Sequence, residues 1–234
     1  MIPEDIHTVI DVGCGKGDII QAVDADTKIA LDISETALMH IKDKNIIKIK
    51  GSITELDKLL SDIVNQVDLL ICLEVLEHLL EDELKKASEN ILRLAPKFLL
   101  IGVPFKEPLA KRSFYCNNCG QLFNVDTHFR ALNKKDCCDL FGEKYSLLKE
   151  AYVGHIYPRL WSYFYILKNQ YIGKPDEFAI CYHCGNNNFS VDNSLYKRIG
   201  RHFISKLEYI FTIFLFWKRY PYWMLLLFEY KERR

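Results

Sequence analysis

The chain has 234 residues, 49% of them hydrophobic and 26% charged, which is enough for one full α/β domain with an insertion. Lys+Arg and Asp+Glu both total 31, so the formal charge is zero, which speaks against a partner held by phosphate-backbone electrostatics. Local basic groups remain at Lys111/Arg112 and Lys197/Arg198/Arg201.

Met1 to His7 is polar and shows no cleavable signal pattern, so a cytoplasmic location is expected. Val9, Ile10 and Val12 form a short buried strand, and Gly13, Gly15 and Gly17 follow it at alternate positions. Glycine there lets the backbone turn tightly and approach a ligand, because no Cβ intervenes. A helix starts near Asp18, and Lys28 to Leu31 is a second strand ending at Asp32. Ser34 caps a helix expected to run through Ile41. Ile46 to Lys50 alternates as a third strand, and Thr54 to Ile63 is read as a helix. Val67 to Leu73 is almost wholly apolar, a central strand buried on both faces. Glu81 to Leu94 has helical periodicity and is closed by Pro96; Phe98 to Val103 is a fifth strand.

Strands alternating with helices imply right-handed βαβ units and a parallel sheet. Its ligand crevice lies at the carboxyl ends of the strands, where Asp32, Ser52 and Glu74 fall. Lys106 to Asn133 reads as loop. Asn133 caps a helix from Lys134 to Phe141, stopped by Gly142, and Ser146 to Val153 forms a sixth strand. Arg159 to Tyr171 is an aromatic helix, Leu195 to Trp217 a long helix, and Tyr222 to Tyr230 the last strand. Tyr209–Trp217 and Tyr220–Phe228 are too short to span a bilayer, which takes about 20 apolar residues. They are read as a core helix and a buried edge strand, with a helix resting on a membrane surface as the alternative.

The motifs resemble those of class I S-adenosylmethionine-dependent methyltransferases. The likeness is carried by Val-Ile-Asp-Val-Gly-Cys-Gly-Lys-Gly at Val9 to Gly17 and by Leu-Asp-Ile-Ser at Leu31 to Ser34. Val-Asp-Leu-Leu-Ile-Cys-Leu-Glu-Val-Leu-Glu-His-Leu at Val67 to Leu79 and the following helix and strand complete it. The resemblance implies a Rossmann-like, mostly parallel seven-stranded sheet, with a small zinc-ribbon-like insertion beside it. It also implies that Gly13, Gly15 and Gly17 wrap the methionine end of S-adenosylmethionine, with Asp11 fixing the loop. Asp32, with Ile33 beside it, would accept from the ribose hydroxyls. Ser52, where the family usually has Asp, and Ile53 would flank adenine, and Leu73 and Glu74 would line the other side. Residues 1–105 form the cofactor core, 106–193 a cap or insertion, and 194–234 a helix and strand completing the sheet.

Of eight cysteines, Cys14, Cys72, Cys137 and Cys138 are scattered and read as thiols. Cys116/Cys119 and Cys181/Cys184 form two Cys-x-x-Cys-Gly knuckles, the pattern of a closed four-thiolate structural zinc. Reduced thiols or a redox pair is the alternative, with His183 a bystander. Glu74, Glu77 and His78 share one face if their segment is helical. Small-RNA 2′-O-methyltransferases, which the chain resembles, hold a divalent ion with Glu-x-x-Glu-His and a later histidine. Small-molecule O-methyltransferases carry the same Glu-Val-Leu-Glu-His without metal. His128 and His78 are the catalytic candidates, His128 as base or acceptor-orienting residue; structural roles are the alternative for both. Tyr152, Tyr157, Trp161, Tyr163, Phe164 and Tyr165 either roof the acceptor or pack as a helix face. The Asn/Asp-Pro-Pro-Tyr signature of base N-methylation is absent. The expected function is therefore O-methylation of a small-molecule or glycan-type acceptor. An RNA 2′-O-methyltransferase is the enzymatic alternative, and a cofactor-binding pseudoenzyme with a partner-docking zinc insertion is the other.

Overall fold

The computed structural model describes all residues except 62, 65, 156, 159–161, 172–174, 190–194, 215–218 and 232–234. The chain divides into two compact units. Unit 1 comprises 1–104, 132–153 and 223–234, and unit 2 comprises 105–131 and 154–222. The unit boundaries thus fall after Pro104, Ala131, Val153 and Tyr222, where the sequence alone places divisions after 105 and 193.

Unit 1 is built on seven strands: β1 (Thr8–Val12), β2 (Thr27–Asp32), β3 (Ile46–Lys50), β4 (Leu69–Leu73), β5 (Phe98–Pro104), β8 (Tyr145–Val153) and β11 (Trp223–Tyr230). Their order is β3-β2-β1-β4-β5-β11-β8. The first five are parallel, and β11 runs antiparallel to both neighbours. The order reverses between β2 and β4 around β1, which opens the crevice at the carboxyl ends of these strands. β4 and β5 are apolar along their length because helices cover both faces of a parallel sheet. The mostly parallel seven-stranded expectation is met.

Helices α1 (Asp18–Ala22), α2 (Glu35–Leu38), α3 (Leu56–Leu60), α4 (Glu81–Leu94) and α5 (Lys134–Phe141) belong to this unit. The limits of α4 and α5 follow from their ends. Glu83 accepts the N–H of Leu80, and Ala95 turns left-handed before Pro96. Asn133 and Asp136 form a reciprocal capping box on α5. Tertiary packing shortens two other helices. Ser34 caps α2, its hydroxyl accepting from Ala37 N–H, but the helix stops at Leu38, because Ile41 turns into the core beneath Gly17. Residues 53–55 form a 3-10 turn ahead of α3, under the cap of Ser52.

The final strand is not at an edge. β11 lies between β5 and β8, so Met224, Leu226, Leu227 and Phe228 are almost fully buried, and β8 takes the edge. Alternation in a single sequence does not report how many neighbours a strand has. Tyr145 anchors β8, donating its hydroxyl to the Pro96 carbonyl at 2.9 Å.

Unit 2 holds a 3-10 turn at Leu109–Arg112, the hairpin β6 (Ser113–Tyr115)/β7 (Leu122–Asn124), the ribbon β9 (Tyr157–Pro158)/β10 (Arg219–Tyr220), and helices α6 (Ser162–Tyr171) and α7 (Leu195–Phe214). The hairpin and 3-10 turn occupy a stretch that reads as loop, because three-residue strands carry no periodic signal. Asn169 of α6 donates to the carbonyls of Ala110, Lys111 and Ser113, pinning the helix to this turn. Arg112 is not part of a free basic patch. Its guanidinium grips Asp126 at 2.7 and 2.9 Å and Asp176 at 2.5 Å, and these carboxylates raise its pKa further. α7 is not a core helix: Ile199, Phe203, Tyr209 and Phe214 are all more than 60% exposed. Among the described residues no helix is long and apolar enough to cross a membrane.

Candidate cofactor site and thiolate cluster

The loop after β1 is shaped by its glycines. Gly13, Gly15 and Gly17 have φ of 71°, 53° and 79°, the left-handed region. A Cβ on Gly13 would meet Val75 Cγ2 at 2.3 Å, and one on Gly17 would meet Ile41 at 2.7 Å. A Cβ on Gly15 would meet nothing within 4 Å. Two of the glycines therefore pack against protein, and the middle one faces open space over the crevice. The N–H groups of Gly13 and Cys14 both donate to the Leu31 carbonyl.

Asp32, at the end of β2, organises this loop. One carboxylate oxygen accepts Gly15 N–H at 2.8 Å and the other accepts Ser34 N–H at 2.7 Å. A carboxylate has about four acceptor positions, so capacity for further donors remains. Beside it Ile33 is 74% exposed, an apolar side chain left in water at the mouth of the crevice. Asp11 is 3% exposed and takes the backbone N–H of Ile20, tying β1 to α1. Burial is the main force raising its pKa from 3.8 to about 7; Ile20 opposes this and the Asp32 charge adds to it.

At the end of β3, the Ser52 hydroxyl accepts from Thr54 N–H and pairs with the Thr54 hydroxyl. Ile53 is buried, so its backbone is the part that can meet a ligand edge; the Asn90 amide donates to its carbonyl at 3.2 Å. Asn90 lies in the middle of α4, where nothing in the sequence marks it. At the end of β4, Leu73 packs beside Gly102, and Glu74 is left-handed with φ 56°. A non-glycine residue there is strained, a feature that clusters at functional sites. The segment from Glu74 to His78 is not one helical face. A 3-10 turn covers only Leu76–His78, with Glu77 fully buried and His78 half-buried.

Unit 2 contains His128, whose Nδ1 lies 2.6 Å from Glu107 Oε2 with both side chains largely buried. A carboxylate on one ring nitrogen sets the tautomer and aim of the other. Nothing in the sequence marks Glu107, which lies twenty-one positions away in a loop. Leu109, Phe123, His128, Phe129, Ile166 and Tyr182 line a cavity of about 250 Å³. Of the aromatic group, Tyr165 is buried, and Phe164 meets Phe211 edge-on at 6.1 Å. Tyr152 is on β8 in unit 1, and Trp161 lies outside the described residues.

The four knuckle sulfurs lie within 4.8 Å of one another. Cys116 Sγ is 3.7 Å from Cys184 Sγ, and Cys119 Sγ is 3.8 Å from Cys181 Sγ. Tetrahedral zinc with 2.3 Å bonds sets sulfurs about 3.8 Å apart, whereas a disulfide needs about 2.05 Å. All eight cysteines are free thiols, and the donor set fits a closed tetrahedral metal. Both knuckles are built alike. Gly120 and Gly185 have φ of 71° and 73°, and each donates its N–H to the first cysteine's carbonyl. His183 pairs with the Leu122 carbonyl, outside the donor set.

Strand order, glycine loop and strand-end carboxylate define a Rossmann-like domain with a crevice suited to a nucleoside-type ligand. Residues 10–96 match the model of the methyltransferase domain family. Residues 10–96 are thus similar to a methyltransferase domain, and the fold is similar to that of S-adenosylmethionine-dependent methyltransferases. The chain is similar to a small RNA 2′-O-methyltransferase of Arabidopsis thaliana, with 34% identity over 116 residues, 42% of this chain and 12% of that protein. The chain thus spans only a small part of that relative's length. Among solved structures, a SAM-dependent methyltransferase from Archaeoglobus fulgidus aligns over 97% of this chain and 87% of its own, with TM-score 0.53 and 15% identity. A small RNA methyltransferase aligns over 97% of this chain and 23% of its own, with TM-score 0.53 and 17% identity. Both structural likenesses concern the fold.

Gly15→Ala should weaken S-adenosylmethionine binding at least about tenfold by calorimetry, since the new methyl enters the crevice, at about 1–2 kcal/mol of backbone strain. Gly13→Ala should instead lower the melting temperature, through its clash with Val75. A raised folded pKa at Asp11 means that the native state holds its proton longer than the unfolded chain. Its contribution is fully present below about pH 4 and is lost as pH rises through about 7. Urea unfolding from pH 4 to 8 should show that decline in wild type relative to Asp11→Asn.

Proposed function

We propose that the chain transfers the methyl group of S-adenosylmethionine to a hydroxyl of a small-molecule or glycan-type acceptor. The observation that carries this reading is the grouping of Gly15, Asp32 and Glu74 at the carboxyl ends of β1, β2 and β4, within a matched methyltransferase domain. When bound there, the cofactor supplies an electrophilic sulfonium methyl. The open face of Gly15, in a loop shaped by Gly13 and Gly17, lets the chain approach its methionine end, and Asp32 accepts from its ribose hydroxyls. Ile33 covers an adenine face, the backbone at Ser52 and Ile53 meets the base edge, and Leu73 and Glu74 close the opposite wall.

A hydroxyl acceptor needs a base or an orienting group. We assign that role to His128, held through Nδ1 by Glu107, with His78 as a second candidate. Holding nucleophile and methyl at attack distance supplies much of the remaining acceleration.

The similarity to the plant small RNA 2′-O-methyltransferase favours a second reading, in which the acceptor is a ribose 2′-hydroxyl of RNA. Glu74, Glu77 and His78, with His128 as the later histidine, would then be ligands of a divalent cation. Two carboxylates with two imidazoles suit a divalent transition ion such as manganese better than magnesium, which prefers oxygen ligands. The ion would supply Lewis-acid orientation of the hydroxyl.

Radiolabelled methyl transfer by the full chain, with saccharide and RNA acceptors and with or without EDTA, separates the readings. Chelator-resistant labelling of a saccharide is the expected result, and His128→Ala should lower kcat about a hundredfold or more. Chelator-sensitive labelling confined to RNA would replace the first reading with the second. Tight cofactor binding with no labelled acceptor would sink both and leave a pseudoenzyme.

We further assign Cys116, Cys119, Cys181 and Cys184 to one structural zinc. Elemental analysis should find about one zinc per chain. Stripping it should unfold unit 2, seen as a lost thermal transition, and Cys181→Ser should abolish retention of the metal. A metal-free protein with the same melting profile would refute the assignment.

A further inference from the structure

The cavity of about 250 Å³ in unit 2 has a floor and a rim. Ser113, Phe123 and Asn124 are at most 8% exposed and form the floor, while Leu122 and Tyr182, 40 and 42% exposed, stand at the rim. Leu109, Phe129 and Ile166 complete the apolar lining. Three aromatic rings meet in it: Tyr182 lies edge-on to Phe129 at 5.2 Å and to Phe123 at 6.3 Å.

Most polar groups of this lining already have partners inside unit 2. The Ser113 hydroxyl and the Asn124 amide both donate to the Leu109 carbonyl, at 2.8 and 3.2 Å, which occupies its two lone pairs. The Asn124 side-chain oxygen accepts the N–H groups of Asp126 and His128. The Ala110 carbonyl accepts from Asn169, and the Leu122 carbonyl from the His183 ring. What the lining then offers is ring and aliphatic carbon, with the His128 imidazole and the Tyr182 phenol as its other polar groups.

That chemistry selects the ligand. A pyranose ring or a nucleobase edge carries several donors and acceptors, and each one left unpaired against these walls bears its desolvation cost. A carbocyclic aromatic ring leaves nothing unpaired and gains edge-to-face contacts with the rings around it. Its size also agrees. A dry cavity of about 150 Å³ lined by Leu, Ile and Phe takes up benzene, so about 250 Å³ accommodates a ring with a substituent.

We propose that this cavity is a subsite for a carbocyclic aromatic ring. Joined to the methyl-transfer reading, on which this step rests, the subsite makes the acceptor a hydroxyl compound that carries such a ring, for example an aryl glycoside. His128 lines the same cavity, so a ring seated there keeps the attached hydroxyl-bearing part beside that histidine.

Calorimetry of the full chain, with S-adenosylhomocysteine present to fill the cofactor crevice, tests this with phenyl glucoside, methyl glucoside and uridine. Phenyl glucoside should bind at least about tenfold more tightly than the other two, a factor that burial of one ring supplies. Ile166→Trp, which fills the cavity from α6, should remove that preference. Tyr182→Ser, at an exposed rim position, should reduce it without lowering the melting temperature. Equal affinity of the wild type for phenyl and methyl glucoside would overturn the proposal, as would a preference undiminished in both folded variants. Uridine binding as tightly as phenyl glucoside would give the cavity to a nucleobase and overturn it too. A ring preference lost in the variants, with no methyl transfer to any acceptor, would uphold the subsite and sink only the methyl-transfer reading.

Discussion

Two hydrogen bonds to one carboxylate organise the crevice of unit 1. Asp32 receives Gly15 N–H from the loop after β1 and Ser34 N–H from the start of α2, and so joins the ends of adjacent parallel strands. The loop can present those groups only because its glycines are left-handed, and Val75 and Ile41 leave no space for a methyl at Gly13 or Gly17. The crevice is therefore a property of three strand ends and one acid acting together. Burial raises the pKa of Asp11 beneath it, and the charge of Asp32 adds to that shift.

Unit 2 is organised on different physics. It is small, its strands are two or three residues long, and its buried apolar cluster is built from Phe114, Phe123, Ala179 and Phe189 around Cys116 and Cys181. Cross-links supplement that cluster. Four thiolates at metal spacing supply one, and Arg112 clamping Asp126 and Asp176 supplies another. Asn169, satisfying three carbonyls at once, fastens α6 to the same turn. Polar groups do here much of the work that apolar layers do in the sheet of unit 1.

The sheet was legible because its strands are short apolar runs bounded by strong punctuation. Glu81–Leu94 and Lys134–Phe141 were readable to the residue, since Pro96 ends one and Asn133 with Gly142 bounds the other. The ends of α2 and α3 were not, because Ile41 and Ile53 are drawn into the core by contacts remote in sequence. The glycine loop and the knuckles were visible as spacing. Glu107, Asn90 and the Arg112 network were invisible, since each pairs with residues at least fourteen positions away.

The sequence by itself determined the alternation of strands and helices, the loop after β1, the acid at the end of β2 and the two thiolate pairs. Those signals are local: a period, a glycine, a cap, a two-residue spacing. Only the tertiary structure decided that β11 lies between two partners, that Glu74 begins a strained turn and not a helical face, that Arg112 is spent on two carboxylates, and that apolar side chains of α7 face water. Each of these depends on which neighbour arrives from elsewhere in the chain, and an apolar or charged residue looks the same in sequence whether that neighbour comes or not.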